Sequence, residues 1–263
     1  MPPSRPASAA DIHYRVEPTD LHAHLFTVTL TVQRPTASQE LSLPVWIPGS
    51  YLVREFSKNL QALAARQGQR ALQTVQLDKH RWQVQCTEGK PLVLTYQVCA
   101  YDSSVRTAWL DASRGFFNGT SLCLRVHGQE TQPHTLELAR TAATATWAAA
   151  TGLRPLDADK HGFGLYLAAD YDELVDCPVE LGNFWVGRFK ACGVAHQFVV
   201  AGAAPSFDGK RLLADTQKIC ETAIRFWHRE GKAPFKSYVF MLNAVGDGYG
   251  GLEHRNSTAL ICG

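Results

Sequence analysis

The fold class is decided by Leu25-Phe26-Thr27-Val28-Thr29-Leu30-Thr31-Val32, a stretch in which apolar and threonine side chains alternate. Alternation with a period of two places every second side chain on one face of an extended chain. Valine, threonine and phenylalanine also favour the pleated, half-buried surface of a sheet. The stretch therefore predicts a β-strand with one face in a hydrophobic core.

The same alternating pattern extends over roughly residues 12–98, and Leu92–Val98 is another clear example of it. Short turns that contain Pro, Gly or Asp, such as Pro48-Gly49, separate the predicted strands. Many short strands joined by such turns are typical of an antiparallel sandwich. Ser121–Val126 continues the β pattern, and the Ala/Thr-rich segment 139–151 is interpreted as a strand with a loose loop.

A change of pattern near residues 171–178 predicts a short helix, a turn and a domain boundary. Residues 1–175 are predicted to form an N-terminal β-sandwich domain, and residues 176–263 to form a second domain. In this second part, apolar residues recur at helical spacing between Asp208, a good N-cap, and Gly231, a good C-cap. The expected fold class is mainly β, with an α+β C-terminal part.

Composition limits the classes of partner. The 263-residue chain is 45% hydrophobic and 19% charged, and its net charge is only +2 with dispersed Lys and Arg, so neither nucleic acid nor membrane is expected as a partner. No apolar run has the length of a membrane span and no signal peptide is evident, which favours a cytoplasmic protein. Seven widely spaced cysteines, without a C-x-x-C pair, predict reduced thiols.

A glycine-rich segment, Gly248–Ser257, carries the strongest functional signal. Neighbouring glycines permit the close approach of another backbone, and Glu253 directly after them could hold a cationic group. This combination suits the edge of a sheet that binds peptides. The simpler alternative is a hairpin with a solvated glutamate. His22 and His24 would share a strand face, but without a third nearby ligand they predict no metal site.

Four segments, in this order, resemble the glycyl aminopeptidase family of zinc metallopeptidases: Trp46–Phe56, Ser104–Asp111, Leu174–Gly182 and Gly250–Ser257. In that family an N-terminal β domain precedes a thermolysin-like catalytic domain, which is commonly followed by a PDZ domain. The resemblance implies a β-sandwich followed by the N-terminal portion of a thermolysin-like domain. It also implies an aminopeptidase that removes small N-terminal residues, Gly or Ala, from peptides.

The family's chemistry requires zinc held by an H-E-x-x-H helix and a further glutamate. No histidine in this chain is followed directly by glutamate, and the sequence given ends at Gly263. The zinc ligands and the general base are therefore expected beyond Gly263, in the remainder of the catalytic domain. We expect that this chain alone contains no catalytic residue, binds no metal and is inactive.

The resemblance also implies a substrate side within this chain. Gly250, Gly251, Leu252 and Glu253 match an edge strand whose main chain pairs with the substrate peptide and whose glutamate binds the free α-amino group. A carboxylate opposite an ammonium forms a charge-assisted hydrogen bond and measures one residue from the end of the peptide. His254 is expected either to orient Glu253 or to contact the substrate.

Two other interpretations remain open at the level of sequence. The chain could be a complete, non-catalytic β-sandwich module that binds peptides by strand addition at residues 250–253. It could also be a structural fragment with an exposed last strand. The segment Trp46–Phe56 is predicted to be structural, with a turn at Pro48-Gly49, and the alternative is that it shapes a pocket between the two domains.

Overall fold

The computed structural model describes residues 10–228 and 230–263. Up to residue 182 these residues form sixteen strands, two short α-helices and two 3₁₀ turns. The strands are β1 (Ile12–Asp20), β2 (Leu25–Val32), β3 (Ser38–Ser42), β4 (Leu60–Gln67), β5 (Arg70–Leu72), β6 (Thr74–Asp78), β7 (Arg81–Gln85), β8 (Leu92–Cys99), β9 (Ala108–Leu110), β10 (Arg114–Phe117), β11 (Arg125–Val126), β12 (His134–Leu138), β13 (Ala148–Thr151), β14 (Arg154–Ala158), β15 (Gly164–Ala168) and β16 (Val179–Gly182). The helices are α1 (Gly119–Leu122) and α2 (Tyr171–Asp176), and the 3₁₀ turns are Phe56–Asn59 and Ala142–Thr144.

An eight-stranded sheet with the order β14-β15-β12-β1-β2-β8-β4-β5 dominates this part of the chain. β2 coincides with the alternating stretch of the sequence and pairs antiparallel with β1 and β8. Its side chains at 26, 28, 30 and 32 are buried, and the intervening threonines are half-buried. The strand prediction is confirmed, and its apolar face forms the core as the alternation indicates.

Two four-stranded sheets, β13-β16-β10-β9 and β11-β3-β7-β6, share the hydrophobic core with the large sheet. Phe26 of β2 meets Phe117 of β10 edge to face, with ring centroids 5.5 Å apart. Such a pair stabilises the packing of one layer on the other beyond the area that it buries. The prediction of a mainly β chain with an N-terminal β-sandwich is confirmed.

One predicted strand is wrong over most of its length. Ser121–Val126 is strand only at Arg125–Val126, and Gly119–Leu122 forms the helical turn α1. The carbonyls of the buried residues 122–124 are satisfied by three buried tyrosine hydroxyls and not by a strand ladder. Tyr96 donates to Leu122 (2.6 Å), Tyr171 to Cys123 (2.8 Å) and Tyr14 to Leu124 (2.6 Å). Burial raises the pKa of all three tyrosines well above the usual value.

The remaining strands form a separate five-stranded sheet, called here the C-terminal sheet, in the order β17-β18-β19-β21-β20. They are β17 (Trp185–Ala191), β18 (Val194–Ala201), β19 (Ser237–Ala244), β20 (Tyr249–Glu253) and β21 (Ser257–Cys262). Because β18 and β19 are parallel, their connection must cross over, and α3 (Gly209–Trp227) provides the crossover. An α+β C-terminal part is confirmed.

The long helix begins where the sequence predicts and ends earlier. The Asp208 side chain caps α3 by accepting a hydrogen bond from the Arg211 amide (3.0 Å). The helix ends at Trp227 because His228 is extended (φ −124°), whereas Gly231, the predicted cap, adopts a left-handed conformation (φ +66°) after the end of the helix. In the described ranges no helix combines the length and apolarity that crossing a bilayer requires.

β16 pairs with β10 and β13, so residues 179–182 complete a sheet of the preceding part of the chain. We refer to residues 10–183 as the N-terminal region. The predicted division between residues 175 and 176 stays a prediction. Along the chain, α2 and β16 directly precede the C-terminal sheet, so this segment connects the N-terminal region to the candidate site.

Candidate functional site at the edge of the C-terminal sheet

β20 is an edge strand of the C-terminal sheet, because it is last in the strand order and pairs with β21. At the hairpin turn the His254 amide donates to the Ser257 carbonyl (2.9 Å). In an antiparallel ladder the residues that face the partner alternate with those that face away. The main-chain groups of Gly251 and Glu253 therefore point away from β21, toward the open edge.

The predicted site residues occupy distinct environments on this strand. Glu253 is its last residue and has an exposed side chain, and within the described ranges its carboxylate has no hydrogen-bond partner. Leu252 is buried (1% exposed), so it anchors the strand to the core. A Cβ placed on Gly250 would meet no atom within 4 Å, so the face of the strand toward which that Cβ would point is open at this residue. The arrangement offers an accessible main chain beside a solvated carboxylate.

The loop of the first resembling segment packs under this strand. Pro48 and Gly49 form the predicted turn, in which the Ser50 amide donates to the Ile47 carbonyl (3.1 Å). Gly49 has φ +82°, and a Cβ there would lie 2.6 Å from Cδ1 of Leu252. Glycine is therefore required both by the turn and by the close approach of the edge strand.

A second segment reaches the edge through Arg106. Its Nη2 donates to the carbonyl of Gly251 at 3.3 Å, which is one of the groups that face away from β21. Arg106 is half-buried, and its Nε is buried without a hydrogen-bond partner within the described residues. A guanidinium from the N-terminal region therefore lies beside the main chain that the sequence predicts will bind peptide.

The turn after β20 is held by Asp176, the last residue of α2. Oδ1 of Asp176 lies 3.1 Å from Nδ1 of His254, and Oδ2 accepts a hydrogen bond from the Arg255 amide (3.1 Å). The His254 side chain is only 1% exposed and that of Asp176 is 15% exposed. Nε2 of His254 is buried with no partner in the described part of the chain. One carboxylate thus binds two consecutive residues of the turn.

Asn256 attaches the same turn to a different strand connection. Its Nδ2 donates to the carbonyl of Gly152 (2.8 Å), and its Oδ1 accepts from Sγ of Cys177 (3.5 Å). A Cβ on Gly152 would lie 2.4 Å from that Oδ1, so a side chain at 152 would displace the amide. Burial raises the pKa of Cys177 to about 12, so this thiol stays protonated and structural near neutral pH.

A cleft of about 520 Å³ lies at the end of β20. Glu253 and His254 line it from the C-terminal sheet, and Trp46, Pro48 and Thr120 line it from the N-terminal region. The carboxylate of Glu253 therefore borders a space large enough for a small chemical group between the two parts of the chain.

Metal ligands are a separate question. Within residues 10–228 and 230–263, no group of three or more His, Cys, Asp or Glu residues could hold a metal ion. His24 lies in the turn after β1 with φ +59°, so it does not share a strand face with His22. The residues present therefore do not fit a zinc centre.

All four segments singled out in the sequence converge on this hairpin, through Gly49, Arg106, Asp176 and residues 250–256. Sequence reasoning did not single out Asp176, Arg106 or Gly152. Asp176 and Arg106 do belong to segments that carry the resemblance, which was a usable signal. Gly152 carried none, because its role depends on a contact with a residue more than a hundred positions away.

Comparison with known proteins finds similarity over most of the chain. A family model described as the peptidase M61 N-terminal domain matches residues 13–183. No curated protein sequence matches the chain. A solved structure of an aminopeptidase N family protein from Idiomarina loihiensis is 45% identical, with a TM-score of 0.92. That match covers 95% of this chain and 42% of the Idiomarina protein, so the chain spans less than half the length of that relative.

More distant structures share the fold. A mutant M1 zinc metallopeptidase from Deinococcus radiodurans is 16% identical with a TM-score of 0.55, over 97% of this chain and 61% of that protein. A two-domain M1 zinc metallopeptidase bound to L-arginine gives 14% identity and a TM-score of 0.55, over 95% of this chain and 60% of that protein.

Proposed function

Because this chain belongs to the peptidase M61 family, we propose that it is the substrate-binding N-terminal portion of a zinc-dependent aminopeptidase. The proposed substrates are peptides with a free N-terminus and a small first residue, Gly or Ala. One observation carries the proposal: Glu253 presents an exposed carboxylate at the end of an edge strand, beside a cleft.

The proposed binding mode uses the groups that face away from β21. A substrate peptide pairs with the main chain of Gly251 and Glu253, and the Gly251 carbonyl, which has two lone pairs, accepts from the peptide as well as from Arg106. The Glu253 carboxylate accepts hydrogen bonds from the substrate ammonium, which fixes the first residue relative to the strand. Leu252, packed on Gly49, holds the strand in place.

Zinc is proposed as the cofactor of the longer enzyme, with its ligands and the general base outside this chain. The sequence contains no H-E-x-x-H, so we propose that the 263-residue chain hydrolyses nothing by itself. The proposed partners are the rest of a thermolysin-like catalytic domain, which we propose begins with the C-terminal sheet, and a PDZ domain in the longer protein. The cytoplasm is the proposed location.

The first test is the Glu253→Gln substitution in the intact protein, assayed with glycyl and alanyl anilides. Loss of a charge-assisted contact made throughout the reaction raises KM by about tenfold or more, with a smaller change in kcat. Glu88→Gln, which changes an exposed loop glutamate, is the matched control and should behave as wild type. Equal KM values for wild type and Glu253→Gln would reject the proposed role of Glu253.

A second test uses the 263-residue chain alone. Calorimetry with triglycine and with N-acetyl-triglycine should show preference for the free amine, and an anilide assay with added zinc should show no release of glycine. Zinc-dependent hydrolysis by this chain would contradict the proposed inactivity. Tight peptide binding, together with an intact gene product that has no peptidase activity, would favour the binding-module alternative.

A further inference from the structure

We propose that Asp176 is a positioning residue that fixes Glu253 through the hairpin turn that follows it. The inference rests on the proposed function and adds a residue to its substrate-binding apparatus. Within the described residues no hydrogen bond or ion pair joins Asp176 to Glu253, and the two oxygens of Asp176 engage His254 and Arg255. It therefore acts through the main chain of the turn.

The position of Glu253 depends on its main chain. Its carboxylate is exposed and, within the described residues, no side chain or main-chain group holds it by a hydrogen bond. Glu253 pairs with Thr258 at the rung of the β20–β21 ladder that adjoins the hairpin turn, so the conformation of the turn sets the direction of its main chain. Contacts that fix His254 and Arg255 therefore also fix the position of the Glu253 carboxylate.

Asp176 is well placed to supply that restraint. A carboxylate has two acceptor oxygens, and here each one binds a donor from a different, consecutive residue of the turn. The side-chain contact sets the rotamer of His254, and the Arg255 amide contact sets the peptide plane beyond it. Because both side chains are largely buried, water competes weakly for these hydrogen bonds.

The environment of His254 separates its two expected roles. With 1% of its side chain exposed, its imidazole has no open surface for a substrate group. Its Nδ1 faces Asp176 and its Nε2 is buried. The geometry therefore favours orientation of Glu253 over contact with the substrate.

Other contacts restrain neighbouring parts of the hairpin without replacing Asp176. Leu252 sits on Gly49 one residue before Glu253, and Asn256 binds Gly152 three residues after it. Asp176 acts on the two intervening residues. Without it, His254 and Arg255 would be held by the single hydrogen bond from His254 to Ser257 and by their flanks.

The experiment compares Asp176→Ala and Asp176→Asn with Asp157→Ala in the intact protein. Asp157 is an exposed carboxylate of β14 that lies outside the cleft lining and makes no hydrogen bond to the turn within the described residues, so its removal controls for the loss of one charge. We expect Asp176→Ala to raise KM for glycyl anilide by about tenfold or more, since misplacement of about 1 Å can cost about a hundredfold. Asp176→Asn retains one acceptor and should give an intermediate value, and Asp157→Ala should remain close to wild type.

Two readouts separate positioning from a general loss of structure. Inhibition by an analogue that lacks the α-amino group should be unchanged in Asp176→Ala, whereas inhibition by the free-amine analogue should weaken. Hydrogen exchange of the Arg255 amide should be at least about tenfold faster in Asp176→Ala, and unchanged in Asp157→Ala, because a buried hydrogen bond protects that amide.

Unchanged KM and unchanged exchange in Asp176→Ala would overturn the proposal, as would equal weakening of both inhibitors in the folded Asp176→Asn protein. If Asp176→Ala does not fold, Asp176→Asn decides. A wild-type protein that does not distinguish free from blocked amines would reject the proposed function. In that case the exchange measurement still decides whether Asp176 fixes the turn.

Discussion

Strand β2 of the N-terminal region and helix α3 of the C-terminal part bury their apolar side chains to different extents. The inward residues of β2, from Phe26 to Val32, are all inaccessible to solvent. On α3, the large apolar residues Ile219, Phe226 and Trp227 are 67%, 73% and 75% exposed. β2 therefore faces a closed core, whereas α3 leaves much of its apolar surface in water.

This difference indicates where each part derives its order. Burial of about 25 cal/mol per Å² stabilises the closed sandwich as a whole. The edge strand β20 depends more on a few specific contacts with that sandwich, at Gly49, Arg106 and Asp176. The site is thus supported by contacts that the N-terminal region makes with the edge strand and its turn.

The largest expected effect contrasts two phenylalanines. Phe26→Ala removes a ring that is 0% exposed and packs on Phe117, and we expect a loss of about 3–5 kcal/mol in the free energy of unfolding. Phe226→Ala, at 73% exposure, should change it by no more than about 0.5 kcal/mol. Urea denaturation of both variants measures the two values. Similar losses in the two variants would show that the solvent exposure of Phe226 does not predict its contribution to the free energy of unfolding.

A smaller effect is expected where the two parts touch. Gly49→Ala combines a left-handed backbone with a Cβ that would lie 2.6 Å from Leu252, and it should cost about 1–3 kcal/mol beyond its control. Gly68→Ala is that control, because Gly68 is also left-handed (φ +58°) and a Cβ there meets nothing within 4 Å. Denaturation curves of the two variants measure both losses of unfolding free energy. Equal losses would mean that the Leu252 side chain moves aside without a cost in free energy.

The smallest expected effect lies in the C-terminal part alone. Asp208→Ala removes the N-cap of α3 and should lower the free energy of unfolding by about 1 kcal/mol. Asp215→Ala removes an exposed carboxylate from the middle of the same helix, where its pairs with Arg211 and Lys218 are long (3.6 and 3.9 Å), and should cost about 0.5 kcal/mol or less. A larger loss from Asp215→Ala than from Asp208→Ala would contradict the capping assignment.

Much of the candidate site could be predicted from sequence because its signals are local. The glycine pair followed by Glu253 predicts a strand at an open edge, and the Pro48-Gly49 dipeptide predicts a turn. That the turn lies directly under Leu252 could not be predicted, because the contact joins positions about two hundred residues apart. Resemblance to a family indicated that these segments belong together, but not which atoms meet.

Asp176 shows the same limit for a single residue. In the sequence it closes a short acidic helix, and a carboxylate at such a position is usually solvated. Its pairing with His254 across 78 residues arises from the way α2 and β20 meet. No periodicity or spacing in the chain encodes that distance.

By itself, the sequence determined the strands and the start of the long helix. Alternation in residues 25–32 and an aspartate before a helical apolar pattern act within a few residues, so local physics is sufficient. Only the tertiary structure decided the conformation of residues 119–124 and the anchoring of Glu253. Buried carbonyls take whichever donor the fold brings near, here the hydroxyls of Tyr14, Tyr96 and Tyr171, and the exposed carboxylate of Glu253 stands where distant residues hold its turn.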